Sequence, residues 1–374
     1  MRIIVTGLIA QYPLGGVAWD YLQYAEGFRQ LEHDVFYLED SETWPYDIAG
    51  QTFVADCTAN VAHLREVMER LGFAGRWAYR NSADHSYHGM TEVETKQLCA
   101  SADLLVNVSG SCWLRPEYAA IPKKIFIDSD PMFTQVAMLP NRSMQERVRA
   151  HEFHFTFAEN IGALDCRIPD AGIRWLPTRQ PVVLDWFPQA TEPPRDVWTT
   201  VMNWASYKPC EFDGETWGQK AVEFERFAEL PQRVNASFEL ACSTERQSEP
   251  GWKLVASVEV APDPWRYRDY LRQSKGEWSV AKEGYAKSRS GWFSCRSACY
   301  LALGRPCVLQ DTGWSKIIPT GHGLFAFSTM EEAVAGITAV NADYTMHSAA
   351  ARRLAEEFFD ARKVLEKMLE TIAV

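Results

Sequence analysis

Short apolar runs and helix-length stretches alternate along this chain in two separate series, and that alternation restricts the fold more than any other feature. In the first series, strands are expected at residues 2–6, 33–38, 104–108, 124–127, 153–158 and 174–176, with helices at 15–31 and 61–71. In the second, strands are expected at 197–203, 237–241, 278–281 and 305–311, with helices at 218–226 and 265–273. Strands that alternate with helices build a parallel, doubly wound α/β sheet. Between the two series lies Ala190-Thr-Glu-Pro-Pro-Arg195, which has the composition of a linker. Residues 349–372 read as one long amphipathic helix. A chain of 374 residues exceeds one usual core. The expected division is therefore 1–190 and 191–345 as two Rossmann-like halves, with a terminal segment at 346–374 that packs back on the first half.

Composition excludes several classes. No apolar run is long enough to span a bilayer, and the apolar stretch at Met1-Arg-Ile-Ile-Val-Thr-Gly7 is too short for a signal peptide. Nine cysteines, an odd and scattered set, point to reduced thiols and a cytoplasmic protein. A net charge of −11 repels nucleic acid at long range, so nonspecific nucleic-acid binding is not expected. Most of the fourteen tryptophans are expected to fill cores. His151-Glu-Phe-His154 lacks the four-residue spacing of a zinc protease motif, and Cys295 and Cys299 have no further ligands nearby, so no metal site is expected. Walker, Gly-x-Gly-x-x-Gly and Gly-x-Ser-x-Gly motifs are all missing.

Polar and Gly-rich clusters follow the strands, where open α/β sheets bind their ligands. The segment Ser290–Gly313 is the richest. Ser294 stands where it can cap a helix, Gly291 lets backbone approach closely, and Gly304 stops the helix. A helix N-terminus of this kind seats a phosphate. Ser290, Gly291, Trp292 and Ser294 are the expected phosphate contacts, with Arg296 adding charge. Asp311, Thr312 and Gly313 arrive at the end of the next strand.

Two regions carry a family resemblance. Leu14-Gly-Gly-Val-Ala-Trp-Asp-Tyr-Leu followed by Gly27-Phe-Arg-Gln-Leu-Glu-His-Asp-Val-Phe-Tyr-Leu38 resembles the first βαβ unit of GT-B glycosyltransferases, with Glu32 where Gly is usual. Ala302-Leu-Gly-Arg-Pro-Cys-Val-Leu-Gln-Asp-Thr-Gly313 resembles the Gly-(Lys/Arg)-Pro-Val-Val…Asp-x-Gly stretch of that fold's nucleotide-binding half. The resemblance implies two Rossmann-like domains facing a cleft, a terminal helix crossing back, and sugar transfer without a cofactor or metal. The donor would be a nucleotide-diphosphate sugar, and the acceptor a small molecule or glycan. Retaining members carry a ribose-binding Glu just before the Gly-Arg-Pro run; Cys299 stands there, and Gly291 stands at the partner acidic position. That departure favours an inverting mechanism.

Gly15 and Gly16 are expected to let the loop pass beneath the donor phosphates or the acceptor, and the resemblance places Lys208 and Lys282 against the diphosphate and Asp311, Thr312 and Gly313 on the sugar. Inversion needs a base for the acceptor proton. Asp130, at the end of Asp128-Ser-Asp, is the first candidate and Asp20 the second. His85 and His88, in Asp84-His-Ser-Tyr-His-Gly89, are expected on a loop forming an acceptor lip. A nucleotide-sugar epimerase of the same fold, or a non-catalytic nucleotide- or glycan-binding protein, remains open on the sequence.

Overall fold

The structure, a computed structural model, describes residues 1–204, 206–242 and 249–373. Two mixed-order sheets dominate it. The N-terminal sheet contains β1 (Arg2–Thr6), β2 (Asp34–Glu39), β3 (Trp77–Arg80), β4 (Tyr87–Gly89), β5 (Leu104–Val108), β6 (Lys123–Asp128), β7 (Phe153–Thr156) and β8 (Trp175–Pro177). Their spatial order is β8-β7-β6-β5-β1-β2-β3-β4, with every pairing parallel except β3 with β4. The second sheet contains β9 (Trp198–Met202), β10 (Phe238–Cys242), β11 (Trp252–Ala256), β12 (Gly276–Ser279), β13 (Cys307–Gln310) and β14 (Leu324–Phe327), in the order β11-β10-β9-β12-β13-β14, all parallel.

The central strands follow from their sequences. Leu104–Val108 and Cys307–Gln310 are buried at every position, as strands covered on both faces must be. The chain reverses direction across each sheet between two neighbouring strands, β1 and β5 in the first and β9 and β12 in the second. Such switch points open a crevice at the carboxyl ends of the strands.

Helix α1 (Gly15–Gln30) holds the halves together. It is apolar on nearly every side, with Ala18, Trp19, Tyr21, Leu22, Tyr24, Ala25 and Phe28 all buried, because it has neighbours on nearly every side. The structure continues with α2 (Lys220–Glu225), α3 (Pro264–Gln273), α4 (Cys295–Ala302), α5 (Tyr344–Phe358) and α6 (Ala361–Ile372). The Trp19 indole donates to the Pro264 carbonyl at the head of α3, at 2.8 Å. Leu365 and Met368 of α6 join the core of the N-terminal half, while Leu354 and Ala355 of α5 join the core around α4.

The structure departs from the sequence reading in three places. The terminal segment is two helices rather than one. Phe359 and Ala361 bond across to Val182, which fixes the crossover, and the Asp360 carboxylate caps α6 by accepting from the Arg362 N–H at 2.9 Å. Strands β3, β4, β11 and β14 were not expected, and three of them lie at sheet edges. Part of 84–89 is strand β4, not loop. All nine cysteines are free, and Trp19, Trp198, Trp217, Trp278 and Trp314 are fully buried. Among the described residues no helix is long and apolar enough to cross a membrane.

Candidate active site

The two switch points face each other across a cleft of about 910 Å³. Asn107, Ser109, Asp128, Ser129 and Asp130, from the ends of β5 and β6, line one side. Met202 and Asn203, after β9, with Lys220 of α2, Lys282 and Tyr285 after β12, and Ser294, Cys295 and Arg296 at the start of α4, line the other. Helix α1 contributes Gly16, Val17, Asp20 and Tyr21 to the floor.

Seven of the expected site residues come together here: Gly16, Asp20, Asp130, Lys282, Trp292, Ser294 and Arg296. Arg296 is not a solvated helix residue. Its Nε lies 2.7 Å from Oε1 of the fully buried Glu277, and its Nη2 lies 2.9 Å from the Ser279 hydroxyl. Glu277 therefore braces Arg296 from behind the cleft wall. Ser294 occupies the N-cap position of α4 but makes no side-chain capping bond. The first N–H groups of α4 are thus left for another acceptor.

Asp130 and Asp20, the first and second candidates for the base, sit in different surroundings. Burial raises the Asp20 carboxyl to about 7, opposed by the Arg296 charge and a hydrogen bond with Cys295. Asp130 is engaged between the halves. It accepts from Lys282 Nζ at 2.8 Å and from the phenols of Tyr207 and Tyr285, all from the opposite half. Asp128 is structural: it is 1% exposed and accepts from Gln135 and Thr156 at 2.7 Å each. His151 also lines the cleft, but burial pushes its pKa down to about 4. Its Nδ1 lies against the carbonyls of Arg147 and Val148, and its Nε2 lies 3.1 Å from the Asn107 amide, so no nitrogen is left to take a proton.

The other expected contacts do not line the cleft. Gly15 is packed beneath α3; its N–H donates to Ala261 O at 3.1 Å, and a methyl there would overlap the Asp263 carbonyl. Ser290 is fully buried, with its hydroxyl bonded to Tyr285 O at 3.1 Å. Gly291 and Gly313, at φ 80° and 98°, leave room for Asn160, whose amide donates to the Arg289 and Gly313 carbonyls at 3.1 Å each. Their glycines admit a side chain of the first half rather than a phosphate. Thr312 donates to Trp292 O at 2.7 Å, and Asp311 accepts from Gly313 N and the Ser315 hydroxyl at 2.8 Å each, so both hold the loop together. Lys208 is exposed outside the cleft. His85 sits in a turn at φ 66°, and His88 lies on edge strand β4 with Nε2 3.4 Å from Cys57 Sγ; neither reaches the cleft.

One residue was missed. Lys220, at the first position of α2, lines the cleft between Arg296 and Lys282. Desolvation lowers its pKa well below the usual lysine value; Arg296 and Lys282 lower it further, and Glu277 opposes them. Arg296 has Glu277 and Lys282 has Asp130. No ion-pair partner accompanies Lys220 among the described residues. The sequence held a signal: a cation in the first turn opposes the helix dipole. Such a residue has a reason to be there if an anion binds against it.

No family model matches the chain, and no curated protein matches its sequence. Solved structures do. AviGT4, a glycosyltransferase involved in avilamycin A biosynthesis, is 14% identical over 99% of this chain and 96% of its own, with a TM-score of 0.52. An α-glucosyltransferase solved with UDP and a 13-mer DNA containing an HMU base is 10% identical over the full length of both chains, with a TM-score of 0.56. Anabaena Alr3699/HepE, solved with UDP and glucose, is 12% identical over 100% and 99%, with a TM-score of 0.54. The chain has the GT-B glycosyltransferase fold.

Proposed function

We propose that this protein is an inverting glycosyltransferase that moves a hexosyl group from a nucleoside-diphosphate sugar to an acceptor held by the N-terminal half. The observation that carries the reading is Lys220, which has no ion-pair partner among the described residues, set beside Arg296 and facing the Asp20 carboxyl of the other half in one cleft. The diphosphate binds at Lys220, Arg296, the Ser294 hydroxyl and the open N–H groups of α4. These groups meet its charge without a metal ion.

Asp20 takes the proton of the acceptor hydroxyl as that oxygen bonds to the anomeric carbon. The bond from that carbon to the phosphate oxygen breaks, and its electron pair leaves with the nucleoside diphosphate. Cations already in place stabilise the developing charge without reorganising. A base with a pKa near the working pH suits this proton transfer. Several structural neighbours were solved with UDP or UDP-glucose, which supports a uridine donor.

The test is calorimetry with UDP, GDP and dTDP, followed by mass spectrometry of turnover with the corresponding sugars. Tight binding of one nucleotide, lost on Lys220→Met, is expected. Failure of all three to bind overturns the reading. A donor epimerised without any acceptor would assign the chain to a different reaction.

A further inference from the structure

The cleft runs past Asp20 into the N-terminal half, where Trp113, Leu114, Phe126 and Met144 form its wall. Arg147 lies flat on this wall, its guanidinium carbon 3.2 Å from the Trp113 ring centroid. A guanidinium stacked on an aromatic face keeps its in-plane N–H donors open. No ion-pair partner accompanies Arg147 among the described residues; its sequence neighbour Glu146 is taken by Arg142 at 2.9 Å. Burial lowers the Arg147 pKa, so this charge is desolvated without an equal counter-charge.

Three of the polar groups nearby are already engaged. Ser109 and Ser129 bond to each other at 2.7 Å. Asn107 exchanges bonds with the Cys112 backbone at 2.9 and 3.0 Å and lies 3.1 Å from His151 Nε2. Recognition of a polyhydroxylated sugar needs several open donors and acceptors. This wall instead offers a flat apolar surface and one unpaired cation.

We propose that the N-terminal lobe of the cleft takes an acceptor with a planar, apolar body and an acidic group that pairs with Arg147. The assignment rests on the glycosyltransferase reading, and it places the nucleophilic hydroxyl at the end of the acceptor away from the acid, towards Asp20.

Calorimetry without any donor tests the lobe alone. The probes are 6-hydroxy-2-naphthoate, 2-naphthol and maltotriose. The naphthoate is expected to bind about ten- to a hundredfold more tightly than 2-naphthol, the worth of a hydrogen bond to a charged group. Arg147→Gln is expected to abolish that preference while leaving the affinity for UDP unchanged. Equal affinity for acid and naphthol, no binding of either, or tighter binding of maltotriose overturns the proposal. The comparison on the unmodified protein stands even where the variant fails to fold. A separate UDP titration distinguishes the two readings: lack of UDP binding sinks the transferase, whereas equal naphthoate and naphthol affinities sink only the acceptor class.

Discussion

Asp130 and Lys282 meet across the cleft at 2.8 Å, one from the carboxyl edge of each sheet. The Tyr207 and Tyr285 phenols donate to the same carboxylate, and Phe133 packs edge-on against both rings. The group nearest the expected base position is therefore a clamp between the halves. Closure around substrates excludes water and favours transfer over hydrolysis, and this cluster ties the two halves to each other.

Asp130→Asn is expected to weaken the clamp rather than abolish the chemistry. The carboxylate is partly exposed, so the loss is about 1–2 kcal/mol. Thermal unfolding should show a modest fall, and turnover should drop within about tenfold. A loss of turnover as deep as that of Asp20→Asn would return Asp130 to the role of base.

Asp20→Asn is expected to lower kcat by about a hundred- to ten-thousandfold, the usual worth of a general base. The pH–rate profile should fall on the acid side with an apparent pKa near 7, as Asp20 protonates. Stability runs the other way. The folded pKa lies above the unfolded one, so the contribution to stability is full below about pH 4 and is lost as pH rises through 7. Asn at this position should match the native protein near pH 4 and exceed it at pH 8, by on the order of 2 kcal/mol. Denaturant titrations at the two pH values check the sign.

Cys299→Glu separates resemblance from geometry. Spacing alone puts Cys299 where retaining relatives hold a ribose-binding Glu. In the structure Cys299 is 2% exposed, packed against α1 with the Gln23 amide 3.8 Å from its sulfur. A carboxylate there would be buried near Asp20 and Glu277, with the nearby Arg296 already paired, and overpacked. The expected outcome is a loss of about 3 kcal/mol or more, with no gain in UDP affinity. Tighter UDP binding by a stable variant would contradict this placement.

The sequence made the sheets legible where burial on both faces leaves a bare apolar run, as at Ile3-Ile4-Val5 and Leu104–Val108. It hid β4 and β11, whose residues are partly exposed and whose patterning is broken by polar side chains. The helix break at Asp360 was signalled by a capping residue inside an otherwise helical pattern. In Ser290–Gly313 the sequence located the loop that faces the cleft but not which residues face it. Gly291 and Gly313 are small because Asn160, some 130 to 150 positions earlier in the chain, fills the space, and no local pattern carries that contact. Glycine beside a helix start has the same signature whether it admits a ligand or a distant side chain.

Lys220 and Arg296 offer the sharpest contrast, because both are cations of the cleft and only one has an internal partner. Arg296→Met would leave the fully buried Glu277 carboxylate without its guanidinium. Stranding one member of a buried pair costs about 3–5 kcal/mol. That variant is expected to unfold at markedly lower temperature as well as to lose UDP binding. Lys220→Met removes a desolvated amine whose nearby carboxylate, Glu277, is already paired with Arg296. It should therefore be at least as stable as the native protein, yet bind UDP about ten- to a hundredfold more weakly. Unfolding curves and calorimetry on the two variants read these outcomes side by side. If Lys220→Met lost stability and kept its UDP affinity, Lys220 would be a structural residue and the diphosphate would bind elsewhere.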